Sequence, residues 1–117
     1  MQYMLLICGV EGGPEPSPEE RAAMIADTET WVAEMDGRGV RRFGDRLRPS
    51  DTATTVRVRG GETLLSDGPF AETKEQILGF DLIECADLEE ALEVAAAHPV
   101  ARGGSIEVRP LWPWRED

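Results

Sequence analysis

The sequence predicts an α+β domain in which an antiparallel sheet carries both helices on one face. Three observations predict it: apolar strand-like segments flank two capped amphipathic helices, a glycine pair marks a hairpin in mid-chain, and no internal repeat or linker divides the chain. At 117 residues the chain lies in the usual range for one domain and is too short for two independent cores, so residues 1–117 are expected to form a single unit.

The elements follow in order. Gln2 to Gly9 is apolar on both alternating faces, with Met4, Leu6 and Cys8 on one and Tyr3, Leu5 and Ile7 on the other, the pattern of a strand buried on both sides. After a Gly/Pro-rich loop, Ser17 and Glu20 form a capping box with Pro18 at the first helical position. Met24, Ile25, Thr28, Trp31, Val32 and Met35 recur at helical spacing until Gly37 and Gly39 end the helix. Val40 to Leu47 reads as a second strand, and Thr52 to Arg59 and Glu62 to Ser66 as two strands joined by Gly60-Gly61. Ile77 to Cys85 is a further strand with apolar content on both faces. Asp87 and Glu90 suggest a second capping box, opening a helix with Leu88, Ala91, Leu92 and Ala95 on its packing face and ending before Pro99. Ser105 to Arg109 is the last strand, followed by a tail with Trp112 and Trp114.

The resulting order, β-α-β, an inserted hairpin, then β-α-β, is the split βαβ of a ferredoxin-like sheet. Two helices cover one side of such a sheet, yet two of its strands offer apolar side chains to both. A bare apolar face of that extent is rare on a soluble monomer, so the expected cover is a second copy packed sheet against sheet, a homodimer forming a dimeric α/β barrel.

The 12 basic and 23 acidic side chains give a net charge of -11, which repels phosphate backbones and anionic lipid surfaces and makes nucleic acid and membrane unexpected partners. Arg41, Arg42, Arg46, Arg48, Arg57 and Arg59 nevertheless lie close together. They read either as a site for an anionic ligand or acidic partner, or as a solvated, edge-protecting hairpin. Cys8 and Cys85 sit in apolar runs without C-x-x-C spacing or a neighbouring His, as small hydrophobes do in a reducing compartment. With no signal-peptide pattern and no membrane-length run, the expected location is cytoplasmic.

Ser66-Asp67-Gly68-Pro69-Phe70-Ala71-Glu72-Thr73-Lys74-Glu75, with Gly79-Phe80 and the terminal Glu107-Val108-Arg109-Pro110, resembles the YCII-related family in its D-G-P-F motif branch over nearly the whole chain. The resemblance implies a ferredoxin-like fold pairing into a dimeric barrel. Most of this branch has no assigned activity, and its members are often encoded beside extracytoplasmic-function sigma factors. The wider group resembles small dimeric barrels that isomerise or dehalogenate ring compounds, with a His-Asp pair as acid-base machinery. This chain departs from that pattern: its single histidine, His98, precedes Pro99 near where the wider group has Asp-Pro, and its first helix has none.

The candidate site is therefore assembled from polar residues around the motif. Asp67 either fixes the turn, by bonding the backbone two residues on, or serves as base. Glu72 or His98 exchanges protons, while Lys74 and Arg109 hold an anionic group. Phe70 anchors the loop in apolar surroundings. Glu107 and Arg109 share a strand face pointing into the space between the two sheets of the dimer, and Asp81 is placed with them. These three are either part of a pocket or an intersubunit ion pair fixing register. At a helix end, His98 is either a pocket acid-base or an exposed partner of the helix dipole. No metal, nucleotide-loop or catalytic-triad spacing is present, and no cofactor is expected. The leading expectation is binding or transformation of a small anionic or ring-containing molecule in a polar cavity by the D-G-P-F loop. The alternative is a non-catalytic regulatory or interaction module, linked through the resemblance to a sigma-factor pathway.

Overall fold

The computed structural model describes residues 1–115. β1 (Gln2–Val10), β2 (Arg41–Arg46), β5 (Glu75–Glu84) and β6 (Ser105–Pro110) form one antiparallel sheet in the order β2-β5-β1-β6. α1 (Pro18–Gly37) packs towards β2 and α2 (Leu88–Ala96) towards β6, and a 3₁₀ turn, Pro99–Arg102, leads from α2 to β6. This is the ferredoxin-like α+β arrangement, with an open sheet rather than a closed barrel in the single chain. β3 (Thr54–Arg59) and β4 (Glu62–Asp67) form a separate two-stranded sheet. Both glycines of its tip, Gly60 and Gly61, have positive φ (56° and 79°), the conformation a tight type I′ hairpin requires.

The sheet register assigns the faces. Leu5 lies opposite Asp81 and Val108, and Tyr3 opposite Ile83. With Ile7, Cys85 and the helical Trp31, Met35, Ala91, Val94 and Ala95, these apolar side chains form the core, and Tyr3, Leu5, Ile83 and Val94 are essentially inaccessible. The alternate face pairs Met4 with Leu82 and Arg109, Leu6 with Phe80 and Glu107, and Phe43 with Leu82. Its apolar members on the two central strands are only half-buried, and Phe43 on the edge is 60% exposed. The two-faced patterns of β1 and β5 thus mark the two central strands.

Ser17 and Glu20 exchange the two hydrogen bonds of a capping box at the start of α1. At α2 only half of the expected box forms. Asp87 caps the Glu90 N–H, but the Glu90 carboxylate accepts from Ala86 N–H, one residue before the cap. The buried stripe of α2 is Ala91, Val94 and Ala95, while Leu88 and Leu92 are about half exposed, so the packing face is rotated from the predicted one. α1 buries Trp31 and Met35 in its second half, whereas Met24 and Ile25, expected in its packing stripe, are each 47% exposed. None of the helices among the described residues is long and apolar enough to cross a membrane.

Candidate functional site

Residues of α1 and two glycines of the sheet line a common cavity. Gly44 of β2 and Gly79 of β5 both fall on the helix-facing side, opposite Asp81 and Arg46. A Cβ at Gly44 would overlap the Asp81 carboxylate, and one at Gly79 would press on the Asp45 carbonyl at 2.9 Å. A cavity of about 720 Å³ lies between α1 and the sheet, with Gly44 and Gly79 in its lining. Met24, Ile25 and Val32 of α1 form one wall, and Ile7 and Val100 extend its apolar lining. Thr28, Glu29, Asp36, Arg41, Asp45, Arg46, Asp81 and His98 supply its polar groups.

A register shift between Arg41 and Phe43 lets β2 place both Arg41 and Gly44 on the helix side. Arg41 there makes three bonds: Nε donates to Asp81 Oδ1 at 2.8 Å, Nη2 to the Gly44 carbonyl at 2.9 Å and Nη1 to Asp36 Oδ1 at 3.3 Å. The Arg41 and Asp81 side chains retain 17% and 9% of their accessible surface. Burial pushes the Asp81 carboxyl above its usual range, and the Arg41 bond opposes that rise. Asp81 Oδ1 takes the Arg41 bond, and Oδ2 accepts no hydrogen bond among the described residues.

His98 is 5% exposed, not a surface residue at a helix end. It caps the 3₁₀ turn, its Nδ1 accepting the Val100 N–H at 3.1 Å, which leaves the proton of the neutral ring on Nε2. Its ring meets Trp31 edge to face at 4.7 Å, and Trp31 is held in turn by donation to the Val94 carbonyl at 3.0 Å. Desolvation lowers the His98 pKa to about 4, so the imidazole is neutral at physiological pH.

The motif residues form a different place. Asp67, Glu72 and Lys74 line a second cavity of about 500 Å³ with Glu11, Ser50 and Gln76. Glu11 ties this region together by accepting from both the backbone N–H and the hydroxyl of Ser50. The turn itself is held by Gly68, with φ 94°, whose N–H donates to the Ala53 carbonyl and whose carbonyl accepts from the Thr55 hydroxyl. The Asp67 carboxylate forms no hydrogen bond among the described residues, and the turn is held by the Gly68 bonds instead, so of its two expected roles turn-fixing finds no side-chain contact here. Phe70 is 80% exposed and anchors nothing.

The predicted set therefore divides into three. Asp67, Glu72 and Lys74 share the loop cavity; Asp81 and His98 line the cavity under α1; Glu107 and Arg109 lie on the open sheet face, joined by a 3.0 Å ion pair. Asp81 was expected beside that pair, but its register opposite Leu5 turns it to the helices. Arg41, read only as part of an Arg-rich stretch, emerges as the partner of Asp81. The signal for this site was present in Gly44 and Gly79, since glycine inside a strand marks close approach of another group. Both thiols have raised pKa values, Cys85 to about 11, because burial disfavours the thiolate and nearby carboxylates add to the effect. Neither thiol is an activated nucleophile.

A family model for the YCII-related domain matches residues 1–115. An uncharacterized protein of Rhizobium meliloti (strain 1021) is 57% identical over 70 residues, which are 56% of this chain. The match spans 55% of that relative's own length.

Proposed function

Because the chain belongs to the YCII-related domain family, in which fold alone does not assign chemistry, we propose from the site itself that it binds and transforms a small, largely apolar molecule under α1. The observation that carries this reading is a cavity of about 720 Å³ with an apolar wall, lined by both the Asp81 carboxylate and the neutral His98 imidazole. Asp81, raised by burial and oriented by Arg41, is the proton acceptor. His98 Nε2–H is a fixed hydrogen-bond donor to a polar substituent. Arg46, which lines the same space, favours a ligand with an anionic group, and the apolar wall favours a ring.

We further assign the open sheet face to a second copy of the chain. Met4, Leu6, Phe43, Phe80 and Leu82 present a continuous apolar strip there. The Cα radius of gyration, 16.5 Å, exceeds the roughly 13 Å of a compact monomer of this length.

A thermal-shift screen of small aromatic carboxylates and phenols tests the ligand reading. Compounds that stabilise the wild type are expected to lose their effect in Asp81→Asn and retain it in Glu72→Gln. Loss in Glu72→Gln with retention in Asp81→Asn would move the site to the D-G-P-F loop, and no stabilisation by any compound of either class would sink the reading.

A further inference from the structure

The turn from α1 into β2 builds one contact of the cavity locally. Gly39, at positive φ (70°), reverses the chain: its N–H donates to the Asp36 carbonyl and the Val40 N–H to the Met35 carbonyl, both at 3.0 Å. Arg41 is thereby brought back to the last turn of α1, where its Nη1 donates to the Asp36 carboxylate at 3.3 Å. That turn holds no basic residue, and a carboxylate there opposes the helix dipole, which favours cations at a helix C-terminus. Arg41 supplies the missing cation from outside the helix.

A guanidinium has five N–H donors and commonly grips a carboxylate with two of them. On Asp81, however, Arg41 spends only Nε. Its other two nitrogens are drawn elsewhere, Nη2 to the Gly44 carbonyl and Nη1 to Asp36. Of these two competitors only Asp36 is a side chain. It keeps 50% of its accessible surface against 9% for Asp81, so one cation joins a solvated carboxylate to a buried one.

We propose that Asp36 is a positioning residue for the site under α1: it holds the Arg41 guanidinium away from a two-bond grip on Asp81 and so keeps Asp81 available as a proton acceptor. The inference rests on the reading of Asp81 as the proton acceptor of that site. Burial is the main cause of the raised Asp81 pKa; the Arg41 bond opposes it, and the negative charge of Asp36 works in the same direction as burial. Removing Asp36 changes both smaller effects in one sense, because a like charge disappears and an arm of the guanidinium is released to Asp81. The other charged or titratable groups lining the cavity are Glu29 of α1, Asp45 and Arg46 of β2 and His98, while β1 sets the apolar Leu5 opposite Asp81. Among the described residues none of these bonds to the Arg41 side chain.

The test is the titration of the Asp81 carboxyl carbon by NMR in the full-length, ligand-free protein, its signal assigned by its loss in Asp81→Asn. In Asp36→Ala the Asp81 midpoint is expected to move to lower pH, and in Asp36→Glu to stay near the wild-type value. Asp36→Asn, which keeps an oxygen for Arg41 Nη1 and loses the charge, is expected to fall between them and is read alone if the alanine variant does not fold. Glu34→Gln removes a charge from the same helix outside the cavity and is expected to leave Asp81 unmoved. An Asp81 midpoint unmoved in whichever of Asp36→Ala and Asp36→Asn folds, or one that moves as far in Glu34→Gln, overturns the proposal and reduces Asp36 to a tether between α1 and β2. Because no ligand is present, that outcome leaves the small-molecule reading to the thermal-shift screen. A screen in which no compound stabilises the protein sinks that reading instead, while the effect of Asp36 on Asp81 still stands or falls by the titration.

Discussion

Burial keeps His98 neutral, and this has a measurable consequence for stability. The unfolded chain takes up the His98 proton near pH 6.5, whereas the folded protein resists it until about pH 4. The stabilisation is therefore complete above the unfolded pKa and is lost as pH falls from 6.5 towards 4, an effect of up to about 3 kcal/mol. Asp81 shifts in the opposite sense, since burial makes its folded form take up a proton more readily. His98→Asn separates the two: it keeps an acceptor for the Val100 N–H without titrating. Its urea midpoint is expected to fall less than that of the wild type between pH 6.5 and 4. Arg41 is the second critical residue. Arg41→Met leaves Asp81 charged and unpartnered in the interior and is expected to cost about 3 kcal/mol at neutral pH, much of it recovered in the Arg41→Met/Asp81→Asn double variant, as read by urea unfolding. Gly44→Ala drives a methyl group into the Asp81 carboxylate and is expected to destabilise by about 1–3 kcal/mol. At this scale the residue types were legible, but their groupings were not. Asp81 and Arg41 stand 40 positions apart, and only the β2 register shift turns Arg41 towards the helices.

The helix starts could be read locally because a capping box needs only residues three apart. Ser17→Ala is expected to lower stability by about 1 kcal/mol by freeing the Glu20 N–H, measurable as a shift in the urea midpoint. Helix faces were harder to read. In α2, a stripe through Leu88 and Leu92 and a stripe through Ala91, Val94 and Ala95 both satisfy helical spacing, and the small residues win because they allow close approach to the sheet. In α1, Met24 and Ile25 fit the buried stripe, yet they line a cavity and stay half exposed. Hydrophobic periodicity reports which side chains favour burial and says nothing of what lies opposite.

For the whole molecule, the apolar content of both faces of β1 and β5 leads to a prediction of mass. Light scattering at micromolar concentration is expected to give twice the 12.9 kDa of the chain, and Leu6→Lys, on the half-buried open face, is expected to shift it towards one chain. The sequence by itself determined the ferredoxin-like order, the two central strands, the hairpin turn and the capped helix starts, because each depends on short-range pattern or backbone preference. Only the tertiary structure decided that the D-G-P-F residues, the Asp81 and His98 pair of groups and the Glu107–Arg109 ion pair belong to three separate places. Strand register assigns each side chain to a face through pairings across tens of residues, and the lining of a cavity is drawn from several elements, which no single segment records.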